Sequence, residues 1–122
     1  MGTVSRKKFQ EENEDILMLL RAIEANPRLT QRELAARMGL SLGKINFLIK
    51  ALIKKGLVKV KNFKSSSNKI AYLYCLTPRG IEEKAKITYH FLKMKMSEYE
   101  KLEEEIRQLK HEVMTDDIAK IF

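Results

Sequence analysis

The residues with the most to say about chemistry lie between Gln31 and Leu48, and they point to recognition rather than catalysis. Ala35 is followed by Gly39 four positions on, then by Ile45, then by Leu48. Two helices that cross tightly need a small residue at the crossing and a residue tolerant of positive φ in the turn. The second helix then needs apolar residues to dock it. Leu34 and Met38 supply further core contacts before the turn. If Ile45, Leu48, Ile49 and Leu52 face inward, helical geometry turns Leu42, Gly43, Asn46, Phe47 and Lys50 outward, with Ser41 as cap and Lys44 at the edge. Such a face suits the major groove of double-stranded DNA. Asn46 pairs with an adenine edge, Lys44 or Lys50 with guanine or phosphate, and Leu42 and Phe47 with thymine methyls. The free N–H groups at the start of that helix favour a phosphate. Thr30, Gln31 and Arg32, at the start of the preceding helix, fall against the DNA backbone, as does Lys54. The same spacing is compatible with a plain helical bundle or a protein-binding module, with Phe47 rotated into the core.

Catalytic chemistry finds little support, so the expectation is a protein that is not an enzyme. His90 and His111 are far apart and lack a Cys or carboxylate set at metal spacing. No metal and no cofactor are expected. The single cysteine, Cys75, excludes an intrachain disulfide and sits in an apolar strand as a small buried residue. The five glycines are separated and mark turns or caps, not a phosphate-binding loop. Tyr89, Phe91, Met94 and Met96 read as packing residues before they read as a hydrophobic ligand site.

The elements that must position the recognition residues follow from periodicity and capping. Ile16, Leu19, Leu20 and Ile23 form one stripe of a first helix from about Glu11 to Ala25, which Asn26-Pro27 stops. Thr30 with Glu33 three residues on is a capping box for a short second helix ended by Gly39. Ser41 caps a third helix running to about Lys55, with Gly56 as its left-handed stop. The period then changes. Leu57 to Lys61 and Ile70 to Leu76 read as two strands of a β-hairpin, with a polar loop over Asn62 to Lys69. Lys61, Lys64, Ser65, Ser66, Asn68 and Lys69 make this a basic, serine-rich tip that reaches along a phosphate backbone or into a minor groove. Alternatively the lysines keep an edge strand soluble. Thr77-Pro78 opens a last helix from about Pro78 to about Val113. Leu92, Tyr99, Leu102, Ile106 and Leu109 lie on its apolar seam, and Lys95 spoils one step.

Charge supports a polyanionic partner. The formal net charge is +8 over 122 residues. From Ser41 to Lys95 there are 13 Lys/Arg against 2 Asp/Glu, a net of +11, and the flanks carry −3. No apolar run approaches the roughly 20 residues needed to cross a bilayer. The N-terminus shows no signal-peptide pattern, so a cytoplasmic protein without membrane association is expected.

Leu29-Thr30-Gln31-Arg32-Glu33-Leu34-Ala35, Gly39-Leu40-Ser41, Lys55-Gly56-Leu57-Val58 and Leu76-Thr77-Pro78-Arg79-Gly80 resemble the MarR-type winged-helix regulators. The short form with a long C-terminal helix is similar to the subgroup associated with exopolysaccharide gene clusters. The resemblance implies a homodimeric regulator on pseudo-palindromic DNA, with the helix Ser41–Lys55 in the major groove and the loop Asn62–Lys69 as wing. Typical members place an effector pocket between dimer and DNA-binding parts. Here a long N-terminal dimer helix is not expected, which leaves any small-molecule effector unknown and shifts dimerisation onto Pro78–Val113. The expected fold class is mainly α with a small β-hairpin (α+β), a winged helix-turn-helix followed by a long C-terminal dimerisation helix. The expected organisation is a flexible basic N-terminus (1–10), a DNA-binding domain (11–77), a coiled-coil dimerisation helix (78–113) and a tail (114–122). The competing function is a protein–protein adaptor, with the winged helix as scaffold and the coiled coil as working surface. RNA binding lacks a platform of exposed aromatics.

Overall fold

A computed structural model describes residues 2–64 and 70–117. In chain order it comprises α1 (Gly2–Ala25), α2 (Gln31–Met38), α3 (Leu42–Lys54), β1 (Val58–Lys64), β2 (Ile70–Leu76) and α4 (Pro78–Glu112), closed by a single wide π-helical turn at Val113–Asp117. The order is that of a winged helix-turn-helix followed by a long C-terminal helix.

The apolar stripes read from the sequence are the ones that disappear from solvent. Leu19, Leu20 and Ile23 of α1 meet Leu34 and Ala35 of α2 and Ile45, Leu48, Ile49 and Leu52 of α3 in one core, with Ile16 and Met38 packed at its margin. Each fully buried Leu or Ile contributes about 1.5–3 kcal/mol relative to an exposed one. Leu57, Val58 and Tyr74 close the core from the hairpin side.

The strands pair antiparallel with Val58 opposite Leu76, Val60 opposite Tyr74, Asn62 opposite Tyr72 and Lys64 opposite Ile70. Tyr74 N–H also donates to the Pro27 carbonyl at 3.1 Å, which ties the second strand to the turn between α1 and α2.

Two boundaries differ from expectation. The first helix begins at Gly2, not near Glu11, so from Gly2 the expected flexible basic tail is helical backbone. The run Ser5 to Glu14 holds no Gly or Pro and is rich in Lys, Gln and Glu, good helix formers that need no apolar stripe to continue a helix begun elsewhere. A long first helix is therefore present where none was expected. The first strand runs to Lys64, not to Lys61, because ladder pairing carries Asn62 and Phe63 along despite their weaker local signal.

The chain divides into two compact units, residues 1–88 and 89–122. The opening turns of α4 thus belong with the winged helix, and two features anchor them. The Lys84 ammonium lies 2.7 Å from Glu24 Oε1 of α1. Gly80 lies so close to the Leu57 carbonyl that an added Cβ would overlap its oxygen and stand 3.0 Å from its carbon. At the far end, the Thr115 hydroxyl donates to the His111 carbonyl at 2.7 Å. Such back-bonding competes with the α-helical ladder where α4 gives way to the π turn. No helix among the described residues is long and apolar enough to cross a membrane.

Candidate nucleic-acid interface

Three local signals set the angle between α2 and α3. Thr30, extended at φ −75° and ψ 163°, accepts from Glu33 N–H through its hydroxyl at 3.1 Å. The same hydroxyl donates to Glu33 Oε1 at 3.1 Å, so the glutamate closes the box on the side chain and not on the Thr30 N–H. Gly39 takes φ +66°, a left-handed conformation costly to any residue with a Cβ, and ends α2 in a sharp turn. Ser41 then caps α3 by accepting from Lys44 N–H at 3.0 Å.

So held, α3 buries Ile45, Leu48, Ile49 and Leu52 and turns its other side to solvent. Leu42 is 44 % exposed and Phe47 60 % exposed, which removes Phe47 from the core. Gly43 and Lys50 are exposed beside them. Large apolar side chains in water on a capped, otherwise well-packed helix have no structural need met there, which makes this face a contact surface. Lys44 is half-buried at the edge. Its ammonium lies 3.8 Å from Glu12 of α1 and 5.6 Å from the centre of the Phe47 ring.

Asn46 is half-buried on the same helix and donates through Nδ2 to Gln31 Oε1 at 3.1 Å. Gln31 in turn donates through Nε2 to the Tyr74 hydroxyl at 3.1 Å. Of the residues expected against the DNA backbone, Thr30, Arg32 and Lys54 are exposed, whereas Gln31 belongs to this inner chain of hydrogen bonds. Tyr74 had no part in the sequence reading. It lies 43 residues from Gln31, and no local spacing signals such a partner.

Along the hairpin, Lys59 and Lys61 are exposed on one face and Lys64 on the other, by the two-residue alternation of a strand. Tyr72 is 54 % exposed across from Asn62. Ser65, Ser66, Asn68 and Lys69 lie outside the described residues.

In the second unit the seam residues of α4 are all open to solvent: Leu92, Tyr99, Leu102, Ile106 and Leu109 are exposed, Tyr99 the most at 63 %. Glu104 and Arg107 pair at 2.8 Å beside that seam. His90 meets Phe91 edge-on at 5.9 Å, and Cys75 is half-buried on β2. Among the described residues no group of three or more His, Cys, Asp or Glu is placed to hold a metal ion. In the first unit a cleft of about 410 Å³ opens at the end of α3, lined by Asn13, Ile16, Lys54, Lys55, Arg79 and Glu83 among others.

A capped recognition-type helix crossing a shorter one at a left-handed glycine, followed by a two-stranded hairpin, defines a winged helix-turn-helix. Comparison with known proteins agrees. Residues 16–59 match the family model described as winged helix-turn-helix DNA-binding. No curated protein is significantly similar to the chain in sequence. Among solved structures the chain is similar to MepR of Staphylococcus aureus in its complex with DNA. The identity is 23 %, with 88 % of this chain and 77 % of that one covered and a TM-score of 0.58. It is also similar to S. aureus MarR in complex with salicylate and kanamycin, at 20 % identity over 92 % of this chain and 85 % of that one, with a TM-score of 0.56. A PadR-like transcriptional regulator from Bacillus cereus gives 19 % identity over 78 % of this chain and 93 % of that one, with a TM-score of 0.64. At these identities the likeness is one of fold.

Proposed function

We propose that this chain is a sequence-specific double-stranded-DNA-binding transcriptional regulator, acting as a homodimer on a pseudo-palindromic operator. The observation that carries the reading is the outward face of α3. Leu42, Gly43, Phe47 and Lys50 stand in solvent on a helix whose opposite face is fully packed. Leu42 and Phe47 meet thymine methyls, and Lys50 takes guanine or phosphate. Lys54, Arg32 and the hairpin lysines Lys61 and Lys64 supply phosphate contacts and the counterion release that goes with them. The match to a DNA-binding winged-helix model and the likeness to a structure solved on DNA support the same reading.

Dimerisation is assigned to α4. Tyr99, Leu102, Ile106 and Leu109 step by three and four residues and remain exposed in the single chain, as the seam of a coiled coil would before pairing. Two copies then bring two α3 helices to successive major grooves about one helical turn apart. Control of exopolysaccharide genes rests on the sequence resemblance to that subgroup.

Selection from a random duplex pool, with the affinity of the winners titrated against salt, tests the reading. An inverted repeat with half-sites about 10 base pairs apart and a steep loss of affinity with salt is the expected result. Recovery of no motif, with weak duplex binding throughout, would sink it and bring forward the coiled-coil adaptor.

A further inference from the structure

Within the outward face of α3, Asn46 is the residue whose orientation the protein itself dictates. Its Nδ2 donates to Gln31 Oε1 at 3.1 Å, and Gln31 Nε2 donates to the Tyr74 hydroxyl at 3.1 Å. Gln31 has both ends of its carboxamide engaged, so it has one orientation and not two. Tyr74 is only 7 % exposed, and its backbone N–H is fixed on the Pro27 carbonyl, so its hydroxyl is a stationary post. The order of control runs outward from Tyr74 to Gln31 to Asn46. The asparagine turns its nitrogen toward the protein, which places Oδ1 on the opposite side of the amide.

We propose that Gln31 and Tyr74 are positioning residues for base readout, holding Asn46 so that its Oδ1 accepts a hydrogen bond from an exocyclic amine. The inference rests on the DNA-binding reading above. In the major groove the amine belongs to adenine (N6) or cytosine (N4). Guanine presents O6 and N7 and thymine presents O4, all acceptors that oppose Oδ1. A freely rotating asparagine offers either end and discriminates less. Here the flip is decided before DNA arrives, so selectivity gains from pre-organisation.

The test uses the full chain and the duplex recovered by selection. Each position of one half-site is varied through the four bases, and binding is followed by fluorescence anisotropy at several salt concentrations. The wild-type protein should prefer adenine or cytosine at one position by about tenfold, the lower part of the range for a good base contact. Asn46→Ala should erase that preference. Tyr74→Phe, which keeps the ring and removes only the hydroxyl, should reduce it to about threefold or less, with thermal stability and salt slope near wild type. Gln31→Glu provides the conservative rescue. A carboxylate only accepts, so Asn46 must still donate inward, and the preference should survive while overall affinity falls.

Three results would overturn the proposal: an Asn46-dependent preference for guanine or thymine, a Tyr74→Phe protein as selective as wild type, or a preference that inverts in Gln31→Glu. A wild-type protein with no base preference at any position would refute the regulator reading itself, and the positioning role with it. Those outcomes are distinct from selectivity that merely ignores Tyr74.

Discussion

Replacing Gly80 by alanine should destabilise the protein, although the same change in a helix ordinarily does the reverse. Gly80 lies in the first turn of α4, where alanine would gain about 1 kcal/mol of helix propensity. Against that, the new Cβ would overlap the Leu57 carbonyl oxygen, with the carbonyl carbon at 3.0 Å and Leu57 Cα at 3.4 Å. All three atoms are backbone, so no side chain can rotate away. Overpacking of this kind costs about 2 kcal/mol. The Leu57 carbonyl also accepts from Thr77 N–H at 3.0 Å, and a shift that relieves the overlap weakens that bond, at about 1 kcal/mol. The net is about 2 kcal/mol of destabilisation, equivalent to a fall in Tm of ~10 °C for a unit of this size. Gly43→Ala is the internal control. Its nearest neighbour to an added Cβ is Ser41 Oγ at 4.0 Å, so it should be neutral or gain up to about 1 kcal/mol. Thermal and urea denaturation followed by circular dichroism measure both. If Gly80→Ala melts at or above the wild-type temperature, the close approach to Leu57 does not govern the junction and the reasoning fails.

Other perturbations separate folding from binding and pairing. Ser41→Ala removes the acceptor for Lys44 N–H and should cost about 1 kcal/mol in urea denaturation. Lys50→Glu combined with Lys64→Glu should abolish duplex binding at physiological salt, leave sedimentation unchanged, and lower the salt slope of any residual binding by about two. Leu102→Asp or Ile106→Asp should convert the dimer to monomer in sedimentation equilibrium and weaken binding to the inverted repeat far more than to a half-site. A protein that stays dimeric with both seam residues charged would remove α4 from the pairing role.

Where the sequence was legible, the determinant was local. Thr30, Ser41 and Thr77 announce helix starts because a cap needs only its own next three residues, and all three hydroxyls accept from the N–H three positions on. Gly39 and Gly56 announce stops because positive φ is a single-residue property, and they take φ +66° and +77°. The inward stripe of α3 was readable from period alone. The outward exposure of Leu42 and Phe47 then followed as its geometric complement. The start of α1 was missed because polar helix formers carry no stripe to count. The reach of β1 to Lys64 was missed because it depends on a partner strand. The role of Gln31 was misplaced for the same reason on a larger scale: position alone puts it at the DNA backbone, but its partners are Asn46 and Tyr74, which only the folded chain brings within reach.

One small knot has a consequence for how such a fold can change over generations. The Thr77 hydroxyl donates to the Gly56 carbonyl at 2.6 Å and accepts from Gly80 N–H at 3.0 Å, while Thr77 N–H holds the Leu57 carbonyl. The chain therefore leaves for the hairpin and returns from it at one tied point. Segments added or removed between Lys64 and Ile70 are closed off behind that tie, and the entropy of lengthening a closed loop grows only slowly with its length. The hairpin is thus a graft site. Its reach and charge can be rewritten by insertion while the entry to α4, and with it the spacing between paired copies, stays where it was.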